Sequence, residues 1–159
     1  RVALLKGLPI SVFDTVFKFI HLSQNAQEFI SILQKNGILV GLVSGGFAPI
    51  VERLAKSLGI SYFTANQLEV KDGFLTGKLV GEIVTGQVKQ ARLEIWRKEL
   101  GFSKERTIAI GDGANDLLML KTAGHGIAFC AKEVVKAEIA CHVDTRDFLE
   151  VIPLIDFLE

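Results

Sequence analysis

Residues 107 to 116 read Thr-Ile-Ala-Ile-Gly-Asp-Gly-Ala-Asn-Asp, a short apolar run followed by a turn dense in glycine and carboxylate. Such a run, bounded by turn residues, is typical of a strand buried in a parallel sheet. In parallel sheets, ligands bind beyond the carboxyl ends of the strands. Asp112, Asn115 and Asp116 therefore lie where oxygen ligands could hold a hard cation. The alternative, in which Asp112 is a turn residue and Asn115 or Asp116 caps a helix, stays open.

The apolar run at residues 38–43 is predicted to be a strand buried on both faces. A second turn follows it and reads Ser44-Gly45-Gly46. A hydroxyl and two glycines that open a helix direct backbone N–H groups at one point, which suits a phosphate. A plain strand-to-helix turn explains the tripeptide equally well. Lys89 lies on the helix predicted between the two turns, and the pattern alone predicts a solvated lysine there.

Helical and extended segments alternate along most of the chain, which predicts an α/β fold with a parallel sheet. The predicted strands are 38–43, 61–65, 107–110, 126–129 and 139–143, and the predicted helices lie between 25 and 37 and at 47–58, 87–100, 114–123 and 133–137. Asp72-Gly73 between two apolar runs predicts a β-hairpin over residues 68–79. The opening segment, residues 2–20, reads as helical and lacks a strand partner. The buried side of the helix at 87–100 is predicted to be Val88, Ala91, Leu93 or the stem of Arg92, Ile95 and Trp96.

The composition excludes several classes of protein. Among 159 residues, 18 basic side chains balance 18 acidic ones, so the chain lacks the basic footprint of a general nucleic-acid or anionic-membrane binder. No apolar stretch approaches the roughly 20 residues of a membrane-spanning helix, and we expect a soluble, cytoplasmic protein. Cys130 and Cys141 have no metal-ligand spacing and are interpreted as small buried hydrophobic residues in a reducing compartment.

Taken together, the two turns and the hairpin resemble those of the haloacid dehalogenase superfamily and, within it, the phosphoserine phosphatase family. The resemblance runs through nearly all 159 residues. It implies a haloacid-dehalogenase-like, Rossmann-like parallel sheet with helices on both faces and a β-hairpin flap. It further implies that residues 1–24 are the C-terminal part of a helical cap and residues 25–159 a core that lacks its first strand. The motifs that carry it are Arg1 to Pro9, Val43 to Phe47, Ala65-Asn66, Lys71 to Gly77, Gly111 to Asp116 and Ile127 to Lys132.

The resemblance implies that substrate-binding residues lie in both halves of the chain. Ser44 would hydrogen-bond a phosphoryl oxygen beside the amide of Gly45, and Lys89 would neutralise the phosphoryl charge. Arg1 would bind the carboxylate of the substrate from the cap, as a bidentate guanidinium pair would suit an amino acid.

The resemblance also implies a metal site in the turn at residues 111–116. Asp112 would ligate Mg²⁺, and Asn115 would contact phosphate or the water shell of the metal. Asp116 would orient Lys89 or the metal shell, which makes Lys89 and Asp116 the catalytic residues within this chain.

The family opens with a strand that ends in Asp-x-Asp-x-Thr/Ser, and no Asp-x-Asp occurs in these 159 residues. The first aspartate is the nucleophile and the second the general acid. The family fold places that strand between the runs at 38–43 and 107–110. The chain begins at Arg1 rather than methionine, and we expect processing, truncation or an incomplete sequence. We expect these residues alone to be inactive and poorly stable, because two interior strands would lack a partner.

The function predicted first is a Mg²⁺-dependent phosphatase that converts O-phosphoserine to serine and phosphate, the last step of serine biosynthesis, through a phosphoaspartyl intermediate whose nucleophile lies outside the chain. One alternative is an inactive relative that binds phosphate, metal or a partner. Another is a phosphatase for a different small phosphomonoester. The expected partner is a small phosphorylated amino acid, with no nucleic acid and no membrane, and a homodimer is compatible with the sequence.

Overall fold

The computed structural model describes residues 2–155, and the chain divides into two compact units. Of the described residues, the first unit comprises 2–22 and 39–84, and the second comprises 23–38 and 85–155. Each unit contains a three-stranded sheet, and the predicted α/β class is confirmed. The cap boundary predicted at residue 24 divides the chain differently and stays a prediction.

None of the helices described within residues 2–155 is long and apolar enough to cross a membrane.

The elements alternate along the chain much as predicted. The strands are β1 Gly41–Phe47, β2 Tyr62–Lys71, β3 Phe74–Val80, β4 Ile108–Gly111, β5 His125–Phe129 and β6 His142–Val143; the α-helices are α1 Val12–Phe17, α2 Ala26–Lys35, α3 Ala48–Ser57, α4 Gly86–Glu99, α5 Leu117–Thr122 and α6 Glu133–Lys136; and short 3₁₀ helices occur at Val2–Leu5, Lys104–Arg106, Ala114–Asp116 and Phe148–Leu154.

In the first unit, β1 pairs in parallel with β2, and β2 pairs antiparallel with β3. The β2–β3 connection confirms the predicted hairpin, and its two turn residues, Asp72 and Gly73, have φ of 52° and 83°. Positive φ at both central positions is typical of the two-residue turn that matches strand twist.

The opening segment does have a strand partner, so the prediction that it lacks one is wrong. Gly7 donates to the carbonyl of Leu75 at 2.8 Å, and Leu75 donates back to the carbonyl of Leu8 at 2.8 Å. The physical reason is that β3 lies at the edge of its sheet, where its outer backbone groups need partners.

Strand β1 is more exposed than predicted. The apolar run at residues 38–43 was expected to be buried on both faces, but β1 begins at Gly41 and none of its residues is fully buried. Leu39 is 54% exposed. Both β1 and β4 lie at an edge of their sheets, in agreement with the expectation that each lacks a neighbour on one side.

In the second unit, β4, β5 and β6 form a parallel sheet in that order. Its core contains Leu120 of α5, Ala128 of β5 and Val135 of α6, each at most 1% exposed. This packing fixes α5 against the strands and so holds the turn that joins β4 to α5.

The buried side of α4 was predicted only in part. Val88 is buried, but Ala91 is exposed and Ile95 is 40% exposed, while Lys89 is buried in their place. Trp96 is half-buried. Helical spacing indicates one face of a helix, but the packing partner selects the face that is covered.

Cys130 and Cys141 are both intermediate in exposure, so the prediction that they are buried is wrong. Cys130 follows β5 with a φ of 47°, and its thiol lies 3.6 Å from the carbonyl oxygen of Asp144. Their positions at strand ends, rather than inside strands, leave both side chains partly accessible.

Candidate active site

The carboxylate of Asp116 organises the turn between β4 and α5. Its Oδ1 accepts a hydrogen bond from the Lys89 ammonium at 2.6 Å. Its Oδ2 accepts from the backbone N–H groups of Asp112 at 3.2 Å and Gly113 at 3.0 Å. The two charged side chains are only 8% and 7% exposed. The carboxylate therefore closes the loop and holds the ammonium group of Lys89 in place.

The interpretation of Asp116 as a helix cap is correct for the 3₁₀ helix at Ala114–Asp116, where its side chain accepts from the N–H of Gly113. It does not hold for α5, because at the start of that helix the Asp116 side chain makes no capping hydrogen bond. Gly111 makes this arrangement sterically feasible. A β-carbon at residue 111 would lie 2.6 Å from the β-carbon of Asp116, well inside van der Waals contact. The glycine at the end of β4 thus gives the buried carboxylate its space.

Lys89 was predicted to be solvated from its pattern, and that prediction is wrong. The first turn of α4 is capped by Thr85, whose side chain accepts from the N–H of Val88 at 3.4 Å. This places Lys89 on the covered face of the helix, with its partner Asp116 27 residues away. Only the family resemblance indicated a functional lysine here, because no local signal reports so distant a partner.

Asp112 lies directly after β4 and is exposed. Within residues 2–155 its carboxylate makes no hydrogen bond or ion pair, while its backbone carbonyl accepts from the N–H of Lys132 at 3.2 Å. Asn115 is exposed on the same turn, and its Oδ1 lies over Gly113, 2.5 Å from where a β-carbon would stand.

This donor set fits a hard divalent cation. A carboxylate that makes no hydrogen bond within the described residues has lone pairs available for a metal. Asp112 supplies such a carboxylate, and Asn115 supplies an amide oxygen on the same turn. Among the described residues there is no cluster of three or more His, Cys, Asp or Glu side chains that could enclose a metal. Mg²⁺ is typically bound through one or two carboxylates and several waters, so a single exposed aspartate is compatible with it.

The support behind this turn comes from α6, which begins after Lys132. Lys136 of α6 pairs with Asp144 at 2.6 Å. The hydrogen bond from Lys136 holds the pKa of Asp144 below its usual value, and the same bond raises the pKa of Lys136. The pair ties the helix to the segment after β6.

The first unit contains the segment Ser44-Gly45-Gly46, which was predicted to be a turn that follows the strand and opens a helix. That prediction is wrong in detail, because β1 continues to Phe47, the two glycines form a bulge within it, and α3 begins only at Ala48. The N–H of Gly46 donates to Oγ of Ser44 at 3.0 Å. The carbonyl of Gly45 accepts from the Asn66 side chain at 2.8 Å. Asn66 belongs to the Ala65-Asn66 motif of the family resemblance, but the sequence alone indicates no role for it. The only local signal is an asparagine directly after the strand predicted at residues 61–65.

Gly45 is not required by the fold. Its φ lies outside the left-handed region, and a β-carbon there would make only an ordinary 3.8 Å contact with the carbonyl oxygen of Val84. The absence of a side chain therefore leaves open space beside the main chain, as a bound phosphate would need.

The structure brings Lys89, Asp112, Asn115 and Asp116 together in the second unit, and Ser44 and Gly45 in the first. Arg1, predicted to bind a carboxylate, lies outside the described residues.

A model of the family described as haloacid dehalogenase-like hydrolase matches residues 1–121. The chain belongs to this family. Among curated relatives, it is 54% identical over 156 residues to a phosphoserine phosphatase of Streptococcus thermophilus, covering 98% of this chain and 73% of that protein. It is 50% identical over 158 residues to a phosphoserine phosphatase of Lactococcus lactis, covering 99% and 73%.

Solved structures agree with the fold of this haloacid dehalogenase-like hydrolase. It superposes on a phosphoserine phosphatase with an analogue of its phospho-aspartyl intermediate, with a TM-score of 0.92 and 42% identity, covering 98% of this chain and 75% of that one. A substrate-bound phosphoserine phosphatase matches with a TM-score of 0.93 and 42% identity, covering 98% and 74%. Phosphatases of this family generally use a divalent metal, which agrees with the donors at residues 112 and 115.

Replacing Lys89 by methionine should destabilise the protein, because the Asp116 carboxylate would stay buried without its cation. We expect a loss of about 3 kcal/mol in the free energy of unfolding, measured by urea denaturation. Lys121→Met is the matched control, since Lys121 pairs with Glu138 at the same 2.6 Å but with both side chains 50% exposed. That change should cost less than about 1 kcal/mol. If both variants lost the same free energy of unfolding, burial of the Lys89–Asp116 pair would not be the reason for its importance.

Gly111→Ala should be much more harmful than Gly113→Ala. The first change drives a β-carbon into the tightly held Asp116, with an expected cost of about 2 kcal/mol or more. The second meets only the tip of the exposed Asn115 side chain, which can rotate away, and should cost less than about 1 kcal/mol. Thermal unfolding of both variants measures the difference, and an equal effect would mean that the loop adjusts freely at residue 111.

Proposed function

We propose that this chain carries the phosphate-binding and metal-binding residues of a Mg²⁺-dependent phosphoserine phosphatase. The single observation that supports this most strongly is the buried Lys89–Asp116 pair on the same loop as Asp112, whose exposed carboxylate has no partner within residues 2–155, in a chain about half identical to phosphoserine phosphatases. Serine biosynthesis and a cytoplasmic location belong to the same proposal.

In this proposal, Lys89 neutralises charge on the phosphoryl group. Asp116 orients Lys89 or the water shell of the metal. The hydroxyl of Ser44 and the amide of Gly45 bind phosphoryl oxygens, an electrostatic contribution that is usually the largest in phosphoryl transfer. Asp112 would hold Mg²⁺ with help from Asn115. A bound Mg²⁺ would supply Lewis-acid stabilisation of the phosphoryl oxygens.

The covalent step of the proposed reaction uses the two aspartates of an Asp-x-Asp motif, and no such motif occurs in the 159 residues. In the proposed reaction, an aspartate outside them attacks phosphorus, the bond from phosphorus to the serine oxygen breaks, and a second carboxylic acid protonates that oxygen. Water then hydrolyses the acyl phosphate to release phosphate and regenerate the aspartate. Arg1 would bind the substrate carboxylate, and phosphate or metal binding without turnover is the competing proposal.

The test of the proposal is phosphate release from O-phosphoserine by the complete protein with Mg²⁺, compared with phosphothreonine and glycerol phosphate. Asp112→Asn should lower kcat/KM on the order of a hundredfold, because the loss of a charged metal ligand removes a few kcal/mol of transition-state stabilisation. Asp72→Asn, an exposed change in the hairpin turn, is the control and should leave turnover unchanged. Metal binding without turnover would favour the competing proposal, an inactive relative that only binds phosphate or metal. Turnover of another ester but not of O-phosphoserine would mean that the substrate proposed here is wrong.

Gly45→Ala should separate stability from binding. Because alanine fits the backbone at this position, we expect the free energy of unfolding to stay constant or rise by up to about 1 kcal/mol. The added methyl group would occupy the space beside the main chain, and we expect inorganic phosphate to bind roughly tenfold more weakly, equal to about 1.4 kcal/mol. Thermal unfolding and calorimetric phosphate titration measure the two effects. Unchanged phosphate affinity would remove Gly45 from the proposed site.

A further inference from the structure

Strand β1 contains a bulge at its carboxyl end. Ser44 pairs with Ala65 of β2, but the next paired residue, Phe47, is opposite Asn66, so Gly45 and Gly46 have no opposite residue. Bulges interrupt the ladder of backbone hydrogen bonds and re-aim nearby side chains, and they are common beside active sites. Backbone groups in the bulge therefore need other partners.

The side chain of Asn66 provides one of those partners. Its Nδ2 donates to the carbonyl of Gly45 at 2.8 Å, and its Oδ1 accepts from the N–H of Val84 at 2.8 Å. Asn66 is 7% exposed, so its side-chain amide has little access to water. The two backbone groups provide the hydrogen-bond partners that its NH₂ and carbonyl groups would otherwise find in water. The side chain thereby holds the bulge against the segment that leads to α4.

The peptide group between Gly45 and Gly46 connects Asn66 to Ser44. Its carbonyl accepts from Asn66, and its N–H donates to Oγ of Ser44 at 3.0 Å. Since the peptide is planar, fixing the carbonyl also fixes the direction of the N–H. A hydroxyl oxygen that accepts this bond keeps its own proton free to donate elsewhere.

We propose that Asn66 is a positioning residue that acts through the peptide 45–46 and holds the Ser44 hydroxyl ready to donate to a phosphoryl oxygen. The inference rests on the proposed function, because it assigns the Ser44 hydroxyl to a phosphate. The hydrogen bonds form a continuous series in which each bond polarises the next, so the hydroxyl becomes a better donor.

The chemistry at residue 66 requires a donor and an acceptor on one short side chain. Aspartate keeps the acceptor for Val84 but places a carboxylate oxygen against the carbonyl of Gly45. Leucine has neither group and would leave two buried backbone groups unsatisfied. Asparagine meets both requirements with one rigid amide.

The experiment compares Asn66→Asp with Gln67→Glu in the complete protein with Mg²⁺. The two changes convert an amide to an acid on adjacent residues, one buried and one exposed. We expect Asn66→Asp to lower kcat/KM for phosphoserine roughly tenfold or more, the effect of losing about one hydrogen bond to a charged group. Gln67→Glu should have no effect, and equal activity of the two variants would overturn the inference.

A double-mutant cycle with Ser44→Ala distinguishes positioning from general structural support. If Asn66 acts through the Ser44 hydroxyl, its substitution should change kcat/KM less than about twofold once that hydroxyl is absent. The same loss in both backgrounds would overturn the inference. Asn66→Ser, which is smaller and leaves room for a bridging water, serves as a second variant in the same cycle.

Failure of the proposed function gives a different result. If the unmodified protein releases no phosphate from phosphoserine, that function fails, and calorimetric binding of inorganic phosphate replaces kcat/KM in the cycle. Should neither Asn66 variant fold, the Asn66 side-chain amide protons of the otherwise unmodified protein are followed by NMR during phosphate addition. We expect their resonances to shift, and not to shift in Ser44→Ala. The absence of phosphate binding, or of that difference, would overturn the inference.

Discussion

The carboxylate of Asp116 is buried, and a buried charge costs several kcal/mol unless a partner compensates it. Its two oxygens are divided between the Lys89 ammonium and the amides of residues 112 and 113. Much of the second unit follows from this requirement. The loop must curl around the carboxylate, residue 111 must lack a side chain, and α4 must present its lysine inward.

The same arrangement leaves Asp112 available for chemistry. Because Asp116 occupies the loop amides and the lysine, the carboxylate that follows β4 is not needed to hold the turn. It stays exposed and without a partner among the described residues. One aspartate thus builds the loop, and the other can bind a cation. A role for Asp112 in metal binding is consistent with this division.

The first unit uses neutral groups for a similar purpose. A bulge in β1 leaves the peptide 45–46 outside the ladder, and the amide of Asn66 restores its hydrogen bond. None of the charged side chains described in this unit is buried, so the segment at residues 44–46 avoids the desolvation cost that Asp116 must offset. Both segments therefore have backbone geometry held by a buried side chain: Asp116, from within the loop, in the second unit, and Asn66, from the neighbouring strand, in the first.

Local sequence was sufficient for features that local physics controls. The Asp72-Gly73 turn, the alternation of helices and strands, and the polar segments at residues 44–46 and 111–116 were all visible, because turn conformation and side-chain periodicity depend on near neighbours. Burial was predicted less well. The exposure of β1 and of Ile95, and the burial of Lys89, depend on which surface packs against each element. Lys89 meets Asp116 across 27 residues, and Asn66 meets Gly45 across 21. Such contacts leave no periodic trace in the chain, so the folded arrangement alone shows them.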